Sequence, residues 1–336
     1  MRIGSCDTRE RVLIVAEIGN NHEGRVEVAE RLVREAAAAG ADAVKFQTFR
    51  TEHYVSGADA ARFQRLKSFE LSADIFGRLA GMARDLGLLF ISTPFDLQSV
   101  DVLSPLVDAY KISSGDNTFY PLLSRVADTG KPLIVSSGLA DIDEISRTAA
   151  FVQARWQDRS ISGDLAVLHC VTSYPVRPED ANLRAIAHLA SVLRVPVGYS
   201  DHTLGNDAAV LSVAVGARLV EKHFTLDKQF SDFRDHQLSA DPADLRDLVR
   251  RIRETERLLG KVEKTLASSE LEIAPLVRRS IVSGGAFSAG HRLSLEDLTW
   301  IRPGGGLPPG QEDRLVGRRL RRDVAFGEPL KVEDVE

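Results

Sequence analysis

Leu219-Val220-Glu221-Lys222-His223-Phe224 reads as a short buried strand with charged and polar side chains set into it. It is the last of eight such apolar runs, at residues 12–18, 43–47, 88–93, 109–113, 133–137, 165–170, 195–200 and 219–224. Most of each run is continuous rather than alternating, as parallel strands covered on both faces should be. Helical patterns fill the gaps. Residues 26–39 place Ala29, Leu32, Val33 and Ala36 at helical spacing and stop at Gly40, which suits a C-terminal cap. Residues 75–86 follow Ser72 or Asp74 as a cap, and Asp141 with Glu144 opens a further helix. Asp241-Pro242 starts one that runs to Leu259 and ends at Gly260. Eight strands alternating with helices predict a parallel α/β fold. The count favours a closed (β/α)8 barrel, a TIM barrel, over a doubly wound open sheet.

After Gly260 the pattern changes to short strands and turns, with Gly284-Gly285, Pro303-Gly304-Gly305-Gly306 and Pro308-Pro309-Gly310. The expected division is a barrel over residues 1–262, a linker over 263–278 and a small β-rich domain over 279–336. About sixty residues is close to the lower limit for a self-sufficient core, so docking on a partner surface would help hold this module. The 336-residue chain has 43 Lys+Arg against 48 Asp+Glu, a formal charge of −5. That balance provides no basic field for nucleic acid and no polybasic segment for lipid. No apolar run reaches the roughly 18 residues of a membrane span, and Met1 to Cys6 lacks the apolar core of a secretory signal. Cys6 and Cys170, the two cysteines, form neither a metal-binding spacing nor a disulfide framework. The expectation is a cytoplasmic enzyme.

Polar residues gather at the C-terminal ends of the expected strands, where barrel enzymes keep their sites. Glu17 ends the first run, Lys45-Phe46-Gln47 the second, Thr93 the third, Lys111 to Asp116 the fourth and Ser136 the fifth. The sixth leads to Thr172 and Tyr174, the seventh to Ser200-Asp201-His202 and the eighth to Glu221-Lys222-His223. Charges inside apolar strands are costly unless paired or ligated. Strand alternation puts Lys45 with Gln47, Ser200 with His202 and Glu221 with His223, so Gln47, His202 and His223 converge in the mouth. The same alternation argues against Ser200-Asp201-His202 as a hydrolase triad. Two imidazoles from neighbouring strands suit a divalent transition metal. Lys45 and Lys111, two buried cations, call for an anion, which Thr93, Ser114 and Ser136 would help to hold. Blander readings take His53, His188 and His291 as surface residues and Cys170, with no obvious base beside it, as a structural thiol. Gly304-Gly305-Gly306-Leu307 lacks the Lys-Ser/Thr of a phosphate loop, and Arg318 to Arg322 reads as a solvated strand or turn.

In this order, Ala16-Glu17-Ile18-Gly19 with Asn21-His22, Lys45-Phe46-Gln47, Ser92-Thr93-Pro94-Phe95, Lys111 to Gly115, Gly198 to Thr203 and Glu221 to Thr225 resemble the sialic acid synthase family nearly end to end. That family includes N-acetylneuraminate, legionaminate and pseudaminate synthases. Arg302-Pro303-Gly304-Gly305-Gly306 resembles its C-terminal antifreeze-like (SAF, β-clip) domain. The resemblance implies a condensation of phosphoenolpyruvate with an N-acyl amino-sugar aldehyde and water, giving a nine-carbon keto acid and phosphate. It implies Glu17, Lys45, Lys111 and Asp116 as catalytic residues, and His202 and His223 as ligands of a divalent ion, Mn²⁺ foremost. Gln47, Thr93, Ser114, Ser136, Thr172, Tyr174, Ser200 and Asp235 would bind substrate, and Arg302 would reach the sugar from the other subunit of a domain-swapped homodimer. Asp116 and Thr172 depart from glutamate and asparagine in some members, which bears on the identity of the sugar. The rivals are a metal-dependent pyruvate aldolase and a carbohydrate- or ice-binding protein acting through its tail; the polar strand ends oppose the second.

Overall fold

The computed structural model describes residues 1–336, in two units, Met1–Gly260 and Lys261–Glu336. In the first unit β1 (Leu13–Gly19), β2 (Ala43–Thr48), β3 (Leu89–Pro94), β4 (Ala109–Ile112), β5 (Leu133–Ser136), β6 (Leu165–Cys170), β7 (Val197–Asp201) and β8 (Leu219–His223) form a closed barrel. Every neighbouring pair is parallel, and β8 closes the ring by pairing Leu219 with Leu13 through to His223 with Glu17. Closure excludes the open-sheet alternative. The expected runs fall on these strands with end shifts of one or two residues.

Strand alternation sorts the side chains into two environments. Ile14, Ala16, Val44, Phe46, Phe90 and Tyr110 point outward into the layer shared with the helices. Leu13, Val15, Ala43, Ile91, Ala109, Ile134, Ala166, Leu168 and Leu219 fill the lower barrel, where Met1 and Ile3 of an N-terminal hairpin plug the bottom. The apolar filling ends at that level. Continuing the same inward parity upward brings Glu17, Lys45 and Glu221 into the lumen above it. At Gly198 any Cβ would lie 2.4 Å from the Leu219 carbonyl oxygen, so only glycine lets β7 lie this close to β8.

The helices follow the chain's own punctuation. The helix Val26–Ala39 buries Val28, Ala29, Leu32, Val33, Ala36 and Ala39, and Gly40 caps it at φ 88°, a left-handed conformation that glycine adopts without a Cβ penalty. Ser72, rather than Asp74, caps Ala73–Asp85, and Asp141 caps Ile142–Asp158. Asp241 forms a full capping box with Asp244 at the head of Pro242–Leu259. No helix is long and apolar enough to cross a membrane.

The second unit pairs Ser280–Ser283 with Leu298–Ile301 antiparallel around a core of Ile281, Leu293, Leu298, Leu307, Leu315, Leu320 and Leu330. A Cβ at Gly306 would lie 2.8 Å from the Leu330 carbonyl oxygen and 2.9 Å from that of Ile281, which accounts for the last glycine of the triplet. In the arginine-rich run Leu320 is a core residue between exposed arginines, and Arg322 is bound by Asp334 at 2.7 Å.

Candidate active site

A cavity of about 640 Å³ opens at the C-terminal end of the barrel, a size within the usual range of small-molecule sites. Its floor is a layer of four buried charges. Lys45 Nζ lies 2.8 Å from Glu17 and 3.7 Å from Glu221, and Lys111 Nζ lies 3.4 Å from Glu221. Ser200 Oγ donates to Glu221 at 2.9 Å, and Lys45 Nζ donates to Thr93 Oγ1 at 3.3 Å. The register explains the cluster: Glu17 stands opposite Lys45 across β1–β2, and Glu221 opposite Ser200 across β8–β7. The two lysines were expected to call for an anion; Glu17 and Glu221 already pair with them in the structure. Ser136 Oγ is buried on the same wall with no partner, a hydroxyl free for a ligand.

The layer sets its two carboxylates to different tasks. Burial pushes Glu17 above the usual carboxylate range, with Glu221 adding to the shift and Lys45 opposing it. Glu221 is also desolvated, but Lys111, Lys45 and Ser200 outweigh that and hold it down, at about 2. Burial lowers Lys111, whereas for Lys45 Glu17 and Glu221 overcome burial and raise it. Burial and neighbouring charges thus drive the two carboxylates apart, with Glu221 held ionised and Glu17 raised.

Above the charges sit the two imidazoles, with ring centroids 5.4 Å apart. His202 Nδ1 lies 3.0 Å from the Val171 carbonyl, which can only accept, so Nδ1 carries a proton and Nε2 is the nitrogen left for a ligand. Burial lowers the ring's pKa, but Cys170 and the carbonyl outweigh this and raise it. His223 Nδ1 is buried without a partner, and burial followed by His202 and Lys45 holds the ring well below its usual pKa, in the neutral form a metal requires. Side-chain oxygens lie nearby, but no third His, Cys, Asp or Glu completes a cage around the pair. The donor set therefore fits an ion that takes its remaining ligands from substrate and water, with coordination open to chemistry. Cys170 is a buried free thiol, as expected, but a base does stand beside it: its sulfur lies 3.9 Å from His202 Nδ1 and 3.5 Å from Ser114 Oγ. The thiol lines the site, and these contacts lower its pKa against the opposing effect of burial. Asp201 points to the opposite face, where it binds Lys222 Nζ at 2.7 Å, so strand alternation dismantles any Ser200-Asp201-His202 triad.

Gln47, Thr93, Ser114, Thr172, Tyr174 and Asp235 also line the cavity. Tyr174 packs at 4.2 Å against His202, and the Arg234 guanidinium covers its ring at 4.8 Å. One expected residue lies off this wall: the Asp116 carboxylate sits behind Ser113, whose hydroxyl donates to it at 2.6 Å. Arg302, expected to act in a partner's site, is exposed within the second unit. His53 and His188 are exposed, while His291 is half-buried, bound to Asp297 at 3.1 Å and stacked on Phe287.

Other lining residues escaped the sequence reading. Glu221, which strand alternation puts on the side of His223 without giving it a role, is the central charge. Asn20 donates to Gln47 at 2.8 Å. Arg62, Arg65 and Leu66 come from the helix Ala60–Phe69, held beside the mouth by an aromatic cluster of Phe49, Phe69, Phe95, Tyr54 and Phe233. No spacing rule marks these residues in advance.

The NeuB family model matches residues 32–264 and the SAF domain model matches residues 278–336. An uncharacterised protein of Methanocaldococcus jannaschii is 44% identical over 315 residues, covering 94% of this chain and 91% of its own. The N,N'-diacetyllegionaminic acid synthase of Legionella pneumophila is 40% identical, with 96% of this chain and 94% of that protein covered. Among solved structures, the N-acetylneuraminic acid synthetase of Leptospira borgpetersenii, in complex with citrate, superposes with a TM-score of 0.75 at 34% identity, covering 81% of this chain and 94% of that one. The chain thus belongs to the NeuB family, as an enzyme of the sialic acid synthase kind that carries a SAF domain.

Proposed function

We propose that this enzyme condenses phosphoenolpyruvate with the open-chain aldehyde of an N-acyl amino sugar, adding water and releasing phosphate to leave a nine-carbon 2-keto-3-deoxy acid. The observation that carries this reading is the stacking of the two halves in one cavity. Two buried lysines and an unpartnered Ser136 hydroxyl lie at the floor, and two imidazoles with a nitrogen left for a ligand lie above them. The 40% identity to a legionaminic acid synthase supports a di-N-acetylated 6-deoxy hexose ahead of N-acetylmannosamine as acceptor.

In this reading Lys45, Lys111, Thr93, Ser114, Ser136 and Ser200 hold the carboxylate and phosphate of phosphoenolpyruvate. Glu221 keeps both ammonium groups fixed until that anion enters. Gln47, Thr172, Tyr174 and Asp235 orient the acceptor, and Asp116 contributes through Ser113. His202 and His223 would hold a divalent ion, Mn²⁺ foremost, which when bound supplies Lewis-acid polarisation of the aldehyde oxygen. The enol carbon attacks the aldehyde carbon, water adds at the enol-phosphate carbon, and the C–O bond to phosphate breaks as the ketone forms. Glu17, whose pKa burial raises, takes the proton from that water, and the alkoxide left by the aldehyde takes up a proton to become the product's hydroxyl. The lysines stabilise the charge that collects on the departing phosphate.

The assembly belongs to the same proposal. The strip that opens the second unit exposes Val262, Leu266, Leu271, Ile273, Leu276 and Val277, apolar surface suited to a second chain. We assign Arg302 to the acceptor end of the partner's cavity in a domain-swapped homodimer. Metal dependence is the first test: chelation abolishes turnover and Mn²⁺ restores it, while His202→Ala stays folded and inactive. Full turnover by metal-free protein would sink the metal's part.

A further inference from the structure

His236 is fully buried and is absent from the cavity wall. Its Nδ1 lies 2.7 Å from Thr225 Oγ1, just beyond β8, and its Nε2 lies 3.3 Å from Glu23 Oε1, on the loop after β1. Ser231 donates its hydroxyl to the same Glu23 oxygen. Phe230 and Phe233 pack on the ring, with centroids 5.0 and 6.0 Å away. A second strut runs alongside, because Asn21 Nδ2 donates to Phe224 O at 2.8 Å and to Ser239 Oγ at 3.0 Å. Between these anchors runs the segment that carries Asp232, Phe233, Arg234 and Asp235 into the cavity.

Glu23 itself sits at φ 48°, in the left-handed region that favours glycine. A side chain kept at such a position costs backbone strain and persists where its contacts demand it. The backbone here would accept glycine more readily, so the carboxylate is what this position retains.

We propose that Glu23 and His236 form a buried clasp between the loops after β1 and β8 that positions residues 232–235 for the acceptor. They are positioning residues for the sugar half of the reaction and leave the phosphoenolpyruvate half untouched. The anion floor is built from strand residues Lys45, Lys111 and Glu221, which make no contact with the clasp. This inference rests on the reaction proposed above for the substrate assignment, but the clasp itself has a readout independent of it.

The test compares Glu23→Gly, Glu23→Gln and wild type. Glycine relieves the backbone and deletes the carboxylate, so a purely structural role predicts no loss. The clasp predicts an acceptor KM raised about tenfold, the factor that 1.4 kcal/mol represents, with the phosphoenolpyruvate KM within about twofold. Glutamine, which still offers an acceptor oxygen to Ser231 and the ring, restores most of the wild-type value. Amide hydrogen exchange of Glu23→Gly rises in residues 226–239 and 20–25 and stays unchanged in β4 to β6. An unchanged acceptor KM overturns the proposal, as does an equal rise in both KM values. If the wild-type protein does not turn over these substrates, the reaction proposed above fails, and unchanged exchange in 226–239 then overturns the clasp independently.

Discussion

Replacing Lys111 by methionine keeps the aliphatic stem and removes one charge from the floor of the cavity. The ammonium is 4% exposed and 3.4 Å from Glu221, so the charge removed is a desolvated one. Wild-type floor charges balance, with Lys45 and Lys111 against Glu17 and Glu221. The variant floor carries one net negative charge before any anion arrives. Losing a charge-assisted contact to phosphoenolpyruvate costs about 1.5–3 kcal/mol, or about ten- to a hundredfold in Kd. Lys45 at 3.7 Å and Ser200 at 2.9 Å still serve Glu221, so the fold loses less than the roughly 3–5 kcal/mol expected for an uncompensated buried charge. Titration calorimetry with phosphoenolpyruvate measures the first quantity and urea unfolding the second. Lys222→Met is the matched control. That lysine is equally buried but faces outward to Asp201 and Thr203, so its loss lowers stability and leaves phosphoenolpyruvate affinity intact. A folded Lys111→Met chain that binds phosphoenolpyruvate within twofold of wild type refutes the placement of the anion.

Glu17 has a folded pKa above its unfolded value, so its contribution to stability is present below the ordinary carboxylate range and is lost as pH rises through the raised value. Glu17→Gln therefore loses less stability than wild type as pH rises above the ordinary carboxylate range, as read by urea midpoints; parallel curves would contradict the shift. For the swapped dimer, mixing inactive His202→Ala and Arg302→Ala chains under exchange conditions restores activity, because each heterodimer holds one intact barrel facing one intact arginine. A mixed dimer that forms and stays inactive removes Arg302 from the partner's site.

The barrel was legible because its period is simple. Eight buried runs between helices at caps such as Asp141, Asp241 and Gly40 leave few other folds, and parity alone places His202 and His223 with Glu221 and turns Asp201 away. Balance within the site was harder to read. Lys45 and Lys111 were visible as buried cations, but Glu221, the carboxylate that touches both, sits on a strand far away in sequence, and closure of β8 on β1 brings it beside Glu17 and Lys45. Cys170 beside His202 is a similar cross-strand contact, invisible to spacing. Arg62, Arg65 and Arg234 reach the cavity from a helix and a loop whose positions depend on aromatic packing, which leaves no local pattern. Asp116 was legible as a polar residue at a strand end, but not its orientation: it lies one turn past Ser113, whose hydroxyl holds the carboxylate behind it.

The proposed reaction forms a C–C bond and cleaves the enol phosphate, and phosphate release measures this most directly. Purified protein is supplied with Mn²⁺, phosphoenolpyruvate and a panel of N-acyl amino sugars that includes di-N-acetylated 6-deoxy hexoses. The prediction is one phosphate released for each nine-carbon keto acid formed, dependent on both substrates and abolished in His202→Ala and His223→Ala. The same keto acid formed from pyruvate and sugar without phosphate release, or phosphate release that ignores the sugar, would contradict it.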